Sequence, residues 1–237
     1  RSQRIKEKKE ITSMQLRPAL IDLGVTLLVV GVIFGGIYAY AGVYPPLVVV
    51  VSNSMLNGNS NVGQLGIISP GDIVLVKSTD NIVTKADAVS TGHKTYGDYG
   101  DVIIYRPNGM ETTPIIHRAI MHVEAGQMVN RDENLGIMRG FIAPYDGYVT
   151  KGDNNDVIDQ QGGISSLVQD DWVLGVARGE IPWLGLLSMV VSDRASLSNV
   201  EPVIWLFMIL ELAAIFIVLD LIDKAIDRLV RRTRERK

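Results

Sequence analysis

Two long apolar runs frame the chain, and short apolar runs broken by turn signals fill the space between them. The first long run, Leu23 to Ala41, reads LGVTLLVVGVIFGGIYAYA and holds nineteen residues without a charge. That matches the ~20 residues that cross a bilayer core and predicts a membrane helix over 19–41. Asp22 sits at one end, and Tyr38, Tyr40 and Tyr44 at the other, as interfacial aromatics do. A cleavable signal peptide is the competing reading. Against it, the run is long and continues directly into VYPPLVVVV, without a small-residue cleavage site. The second run, Val203 to Leu219, follows Pro202 and predicts a membrane helix over 203–222. Glu211 lies near its middle, where a carboxylate costs roughly 2.5–3.5 kcal/mol on insertion scales. Glu211 therefore calls for a hydrogen bond to the first helix in its protonated form, or for contact with a partner subunit. The alternative for this run is an amphipathic or buried helix of a soluble protein.

Residues 42–202 read as β-rich. LGIISPGDIVLVKS predicts strand, Pro-Gly turn, strand. YGDVIIYRPNG predicts a strand closed by a Pro-Asn-Gly turn. TPIIHRAIMHVEAG is a further strand, YDGYVTKGDNND a turn, short strand and polar loop, and DWVLGVARGEIPWLG one or two more strands. Such spacing suggests an antiparallel sheet or partial barrel. Residues 79–99 and 124–146 look like insertions between strands. The fold class is mainly β, flanked by an N-terminal and a C-terminal transmembrane helix.

Charge gives this plan a direction. The net charge of −3 conceals an asymmetry: residues 1–17 carry six Lys/Arg against two Glu, and 224–237 seven against two acids. Residues 42–202 carry ten Lys/Arg against eighteen Asp/Glu. An acidic middle argues against nucleic-acid binding. The positive-inside rule places both basic ends, 1–18 and 223–237, in the cytoplasm, and 42–202 outside or in a lumen. The absence of cysteine excludes disulfides, Cys-ligated zinc and a Cys nucleophile. Hydrophobic residues make up 47% of the chain, in keeping with a multi-pass protein of the cell or ER membrane.

Three residue types offer chemistry. Of three histidines, His93 falls in a loop, STGHKTYGDYG, where an exposed residue without a role is the ordinary reading. His117 and His122 share a strand, and strict alternation puts them on opposite faces. His117, among apolar and small neighbours, is either a satisfied structural residue or a base. Ser52 and Ser54, in VVVVSNSM, share a face of an extended strand, so one hydroxyl could attack while its neighbour donates to a developing oxyanion. Asp153, Asp156 and Asp159, in TKGDNNDVIDQQGG, mark a tight loop with Asx-type turns. A calcium loop is the alternative, although the D-x-D-x-D spacing and terminal Glu of an EF-hand are missing.

The order of these motifs carries more than any one of them. A membrane helix is followed by SNSM, SPGDIVLVK, GDVIIYRP, IIHRAI and VTKGDNND…D, with GVARGEIPWLG as a final strand region. From the first helix to about Leu187 the chain resembles the type I signal peptidases. The likeness is to the ER/archaeal branch, found also in endospore-forming bacteria, which has His where most bacterial enzymes have Lys. The resemblance implies Ser54 as nucleophile, His117 as general base and Asp159 as the acid that orients the histidine. It implies that Asp153 supports the site or its folding, and that Ser52 and the Ser54 backbone N–H form the oxyanion hole. Asp156 matches neither acid. Members have a proline soon after Ser-Met, whereas SMLNGNSNVG has none, which implies a looser turn there.

The resemblance further implies a membrane-anchored serine endopeptidase that removes signal peptides from preproteins, without metal or cofactor. It also implies a preference for small side chains at the first and third positions before the cut. Ser54 lies thirteen residues past Ala41, so the chain reaches at most about 43–47 Å beyond the helix. Substrate would bind extended along the LVVVV edge by β-augmentation. The partners implied are preproteins, the bilayer and subunits reached through Glu211. Two other readings are an inactive anchored β-domain with a scaffold role, and a peptidase for a narrow set of matrix- or pilus-like substrates.

Overall fold

The computed structural model describes residues 23–56, 65–191 and 202–235. The basic segment 1–18, the start of the first expected helix at 19–22, and residues 57–64 of the proline-free stretch lie outside the described residues. Helix α1 covers Leu23–Ala41. Strands β1 (Leu47–Val49) and β2 (Ile73–Lys77) follow, then helix α2 (Lys85–Thr91) and a hairpin of β3 (Lys94–Thr95) and β4 (Asp98–Tyr99). Next come β5 (Val102–Tyr105) and β6 (Ile115–Val123), a second hairpin of β7 (Met128–Val129) and β8 (Phe141–Ile142), and β9 (Gly147–Lys151). Helix α3 (Asp159–Gly162), β10 (Val173–Ile181), α4 (Leu186–Val191) and α5 (Pro202–Glu235) complete the order.

Six strands form one antiparallel sheet in the order β1-β2-β10-β5-β6-β9. Strand β5 lies inside it, and all four residues of VIIY are buried because both faces are covered. Val102 and Ile104 pack with Val74, Val76 and Ile116, while Ile103 and Tyr105 pack with Ala119, Tyr148 and Val176. Strand β2 alternates instead, with Val74 and Val76 turned inward. Register shifts in β10 and β6 bend the sheet, as bulges do. Each expected insertion carries one of the two small hairpins.

The expected hairpin through Ser69-Pro70-Gly71-Asp72 forms only in part. The turn closes, with the Asp72 N–H donating to Ser69 O at 3.1 Å, but residues 65–68 are not a strand. They serve the core through Ile68 instead, 1% exposed. Gly71 has φ +91°, and a Cβ there would lie 2.7 Å from Leu186, so the turn and its packing both require glycine.

Helices α1 and α5 each contain a stretch long and apolar enough to cross a membrane, Leu23–Ala41 and Trp205–Ile226. Helix α5 runs on to Glu235, so the basic tail up to that residue is helical. Its first turns pack on the domain: Met208 joins Leu186 and Met189, with Val49, Trp183, Trp205 and Leu212 around them. Trp183 stacks on Phe207 with ring centroids 5.0 Å apart and has φ +58°, a conformation that bulky residues rarely adopt. Glu211 Oε2 finds no hydrogen-bond partner among the described residues. It sits near the domain end of the apolar span, close to the Asp72 carboxylate.

Asp72 secures this platform. Its side chain accepts from the Ser69 N–H (2.7 Å) and from the Trp183 N–H (3.0 Å). Burial pushes its pKa up to about 7 against those two donors, with Glu180 and Glu211 adding to the rise. Between the ordinary carboxylate range and about pH 7, the folded chain thus holds a proton that the unfolded chain releases. The stability due to this group is full on the acid side and is lost as pH rises through that window. Asp72→Asn is expected to flatten the pH dependence of unfolding in detergent. An unchanged slope in the variant would show that Asp72 is not its source.

Candidate active site

Ser54 is delivered by a turn, not by a strand. Strand β1 ends at Val49, residues 52–55 bend, and the Leu56 N–H donates to Asn53 O at 3.1 Å. The alternation expected of an extended segment therefore does not pair the serines. The turn does, leaving Ser52 Oγ and Ser54 Oγ 3.0 Å apart. The loop after β9 holds this turn from the opposite side. The Asn154 N–H donates to Ser54 O (2.8 Å) and Asn154 Nδ2 to Asn53 O (3.1 Å). Gly152 permits the approach: a Cβ there would lie 2.6 Å from Ser54 O, 2.8 Å from Asn155 Nδ2 and 2.9 Å from His117 Nε2.

His117, in β6, is 3% exposed, and its Nδ1 lies 2.9 and 2.7 Å from Asp159 Oδ1 and Oδ2. Asp159 opens α3 and is wholly buried. Its Oδ2 also accepts from the Tyr105 hydroxyl (2.8 Å) and the Thr150 hydroxyl (2.6 Å). No hydrogen bond joins His117 Nε2 to Ser54 Oγ; the Ser54 hydroxyl is engaged with Ser52. Such bonds are often long in unliganded sites and tighten when substrate binds.

Asp153 goes elsewhere. Arg118 follows His117 in β6 and projects to the other face, where its Nε and Nη2 meet Asp153 Oδ1 and Oδ2 at 2.7 and 2.5 Å. Its Nη1 donates to Gly100 O (2.8 Å) and Thr95 O (3.1 Å). This fully buried guanidinium joins the β3-β4 insertion to the loop that carries Asn154. Lys151 braces the same loop by donating to Gly152 O (3.3 Å) and Asn155 O, and burial pushes its pKa down. Asp156 is exposed. The three aspartates do not converge, and among the described residues no three His, Cys, Asp or Glu side chains are placed to hold a metal.

Two histidine expectations change. His93 is not without partners: its Nε2 lies 2.9 Å from Asp101 Oδ1, which also receives Arg178 Nη1 at 2.7 Å. His122 shares a sheet face with His117, because a bulge shifts the pairing with β9 between Ala119 and Met121 and resets the alternation. It serves no common site, lying instead edge-on to Tyr148 and 3.9 Å from Asp170.

Beside these groups lies an apolar trench. A cavity of about 440 Å³ is lined by Val49–Ser52, Ser54, Met55, Thr113–His117, Asn155 and Ile164. It shares Val49, Val51, Thr113 and Pro114 with a second of about 260 Å³, which extends to Pro45, Ser188 and Met189. The trench follows the outer edge of β1, which no described strand covers. Tyr105 and Thr150 carry no role in the sequence reading, and Gly152 and Asn154 only mark a tight loop there, although all four lie within the motifs. The one available signal was the tyrosine that ends the apolar run VIIY.

Paired hydroxyls, a histidine held through Nδ1 by a buried carboxylate, and a free strand edge are the equipment of a serine hydrolase acting on an extended chain. The chain is 24% identical over 191 residues to the signal peptidase complex catalytic subunit sec11 of Dictyostelium discoideum, covering 79% of this chain and 83% of that protein. It is 24% identical to the human signal peptidase complex catalytic subunit SEC11C, over 78% of this chain and 77% of that one. The sec11 subunit of Schizosaccharomyces pombe is 26% identical over 62% of this chain and 68% of its own length. No protein-family model matches the chain. The chain is thus similar, at 24–26% identity, to proteins named as catalytic subunits of the signal peptidase complex.

Replacing Arg118 by Met leaves Asp153 buried without its cation. The expected cost is about 3–5 kcal/mol in denaturant unfolding, part of which Arg118→Met combined with Asp153→Leu should restore. Equal stability of wild type and Arg118→Met would mean that the pair does not hold the loop.

Proposed function

We propose that this chain is a membrane-anchored serine endopeptidase that removes N-terminal signal peptides from preproteins. The observation that carries the reading is the buried His117–Asp159 pair beside the Ser54 turn, at the head of an apolar trench. Homology to proteins named as catalytic subunits favours an enzyme over an inactive scaffold.

In this reading His117 Nε2 takes the Ser54 proton as Ser54 Oγ attacks the scissile carbonyl. The oxyanion is met by the Ser54 N–H and by the Ser52 hydroxyl, which turns from Ser54 as charge develops. Such a donor is worth roughly 3–4 kcal/mol. His117 then protonates the leaving amine, and a second cycle with water hydrolyses the acyl-enzyme. Asp159 keeps the Nδ1–H tautomer, and Asp153 acts through Arg118 on the loop that positions the turn. Histidine, with an ordinary pKa of about 6.5, suits a base working near neutral pH.

The trench leads from Ser54 toward Met189, which packs with Met208 of α5. An extended substrate on the β1 edge would thus pass from the domain toward the apolar helices. Basic ends place both termini in the cytoplasm and the β-domain outside or in the lumen. Glu211, lacking a partner for Oε2, is the proposed contact for another subunit. Preprotein cleavage by the full chain in lipid vesicles tests the assignment. Ser54→Ala and His117→Ala are expected to abolish it, and Asp159→Asn to lower kcat about 10⁴-fold. Cleavage that survives Ser54→Ala would end this reading.

A further inference from the structure

Three adjacent strands bring one side chain each to a single patch of the sheet. His117 pairs across from Ile103 of β5, and Tyr105 lies two residues along on the same face. On the other side of β6, Thr150 of β9 pairs with Ala119, two residues along from His117 on that face. The hydroxyls flanking the histidine converge on Asp159 Oδ2, Tyr105 at 2.8 Å and Thr150 at 2.6 Å. The signal that Thr150 donates comes from its other neighbour. Gln160 Nε2 donates to Thr150 Oγ1 at 3.4 Å, which leaves the hydroxyl proton for the carboxylate. Gln160 is itself fixed, accepting from the Thr150 N–H (3.2 Å) and donating to Ser166 O (3.1 Å). Tyr105 is wholly buried. Burial and the Asp159 charge push its pKa up, so the phenol keeps its proton and remains a donor.

Resting on the Ser54–His117–Asp159 reading, we propose that Tyr105 and Thr150 are positioning residues: their hydroxyls orient the Asp159 carboxylate so that His117 engages it through Nδ1–H and keeps Nε2 free to take the Ser54 proton. Both hydroxyls bind Oδ2, which lies 2.7 Å from His117 Nδ1, so they hold that oxygen where the imidazole N–H reaches it. Tyr105 and Thr150 touch neither substrate nor the reacting atoms. Their effect passes through Asp159 and His117.

The test uses the full chain in lipid vesicles with a preprotein substrate. Tyr105→Phe and Thr150→Val each remove a hydroxyl and keep the shape. Each is expected to lower kcat about 10- to 100-fold, the worth of one hydrogen bond to a charged group, with KM unchanged. The acid limb of kcat/KM should move to lower pH, because a carboxylate that no longer faces Nδ1–H stabilises the imidazolium less. Thr150→Ser should restore most of the rate, and neither deletion should lower the residual rate of Asp159→Ala. With three histidines in the chain, nitrogen NMR of labelled imidazoles can follow His117 directly. The Nδ1–H form should dominate in the wild type and give way to mixed tautomers in the double variant. Should Tyr105→Phe fail to fold, the Thr150→Val and Thr150→Ser pair decides. Wild-type rate and pH profile in the deletions, with Ser54→Ala inactive, would overturn the proposal alone. A further loss in the Asp159→Ala background would mark a structural role and overturn it as well. Activity in Ser54→Ala would overturn the underlying reading and this proposal with it.

Discussion

Asn154 ties together two parts of the sheet that strand pairing leaves apart. Strand β1, which leads to Ser54, lies at one end of the strand order, while the loop after β9 starts from the other. The backbone N–H and side-chain amide of Asn154 bind the carbonyls of Ser54 and Asn53 and close that gap. The contact requires a bare backbone at Gly152, which lies against Ser54 O and His117 Nε2. It also requires a curved sheet, which the bulges in β6 and β10 supply. This closure brings the Ser54 turn beside the loop that lies against His117.

Adjacent residues of β6 then divide the work between the two sheet faces. His117 turns to Asp159, and Arg118 turns to Asp153. A buried ion pair is weak evidence of net stability, since desolvation can consume the attraction. The physical value of Arg118 lies in the geometry it imposes. One guanidinium holds the loop before Asn154 and the carbonyls of the β3-β4 insertion at once. The orientation of His117 and the position of the Ser54 turn are therefore anchored from opposite sides of one strand.

Strand β1 links the site to the apolar helices. It supplies a free edge, continues into the serine turn, and places Val49 against the cluster where α5 meets the domain. The same few residues line the trench and contact that platform. Asp72 connects the two by holding Trp183 in the conformation that stacks on Phe207.

The apolar runs, the turn signals and the β-rich middle were legible in the sequence because each depends on local composition and period. The order of short motifs also led to Ser54, His117 and Asp159. Periodicity misled wherever a single backbone irregularity intervened. One bulge in β6 put His122 on the face of His117, and one bend replaced the strand that alternation assigned to Ser52 and Ser54. Sequence by itself determined which side chains were available, and that they lay on a sheet between two apolar helices. Only the tertiary structure decided that Asp159 meets His117 while Asp153 meets Arg118, and that Tyr105 and Thr150 complete the carboxylate's bonds. The reason is physical: those contacts span up to 54 positions of chain and depend on sheet curvature and register, which no local pattern of residues encodes.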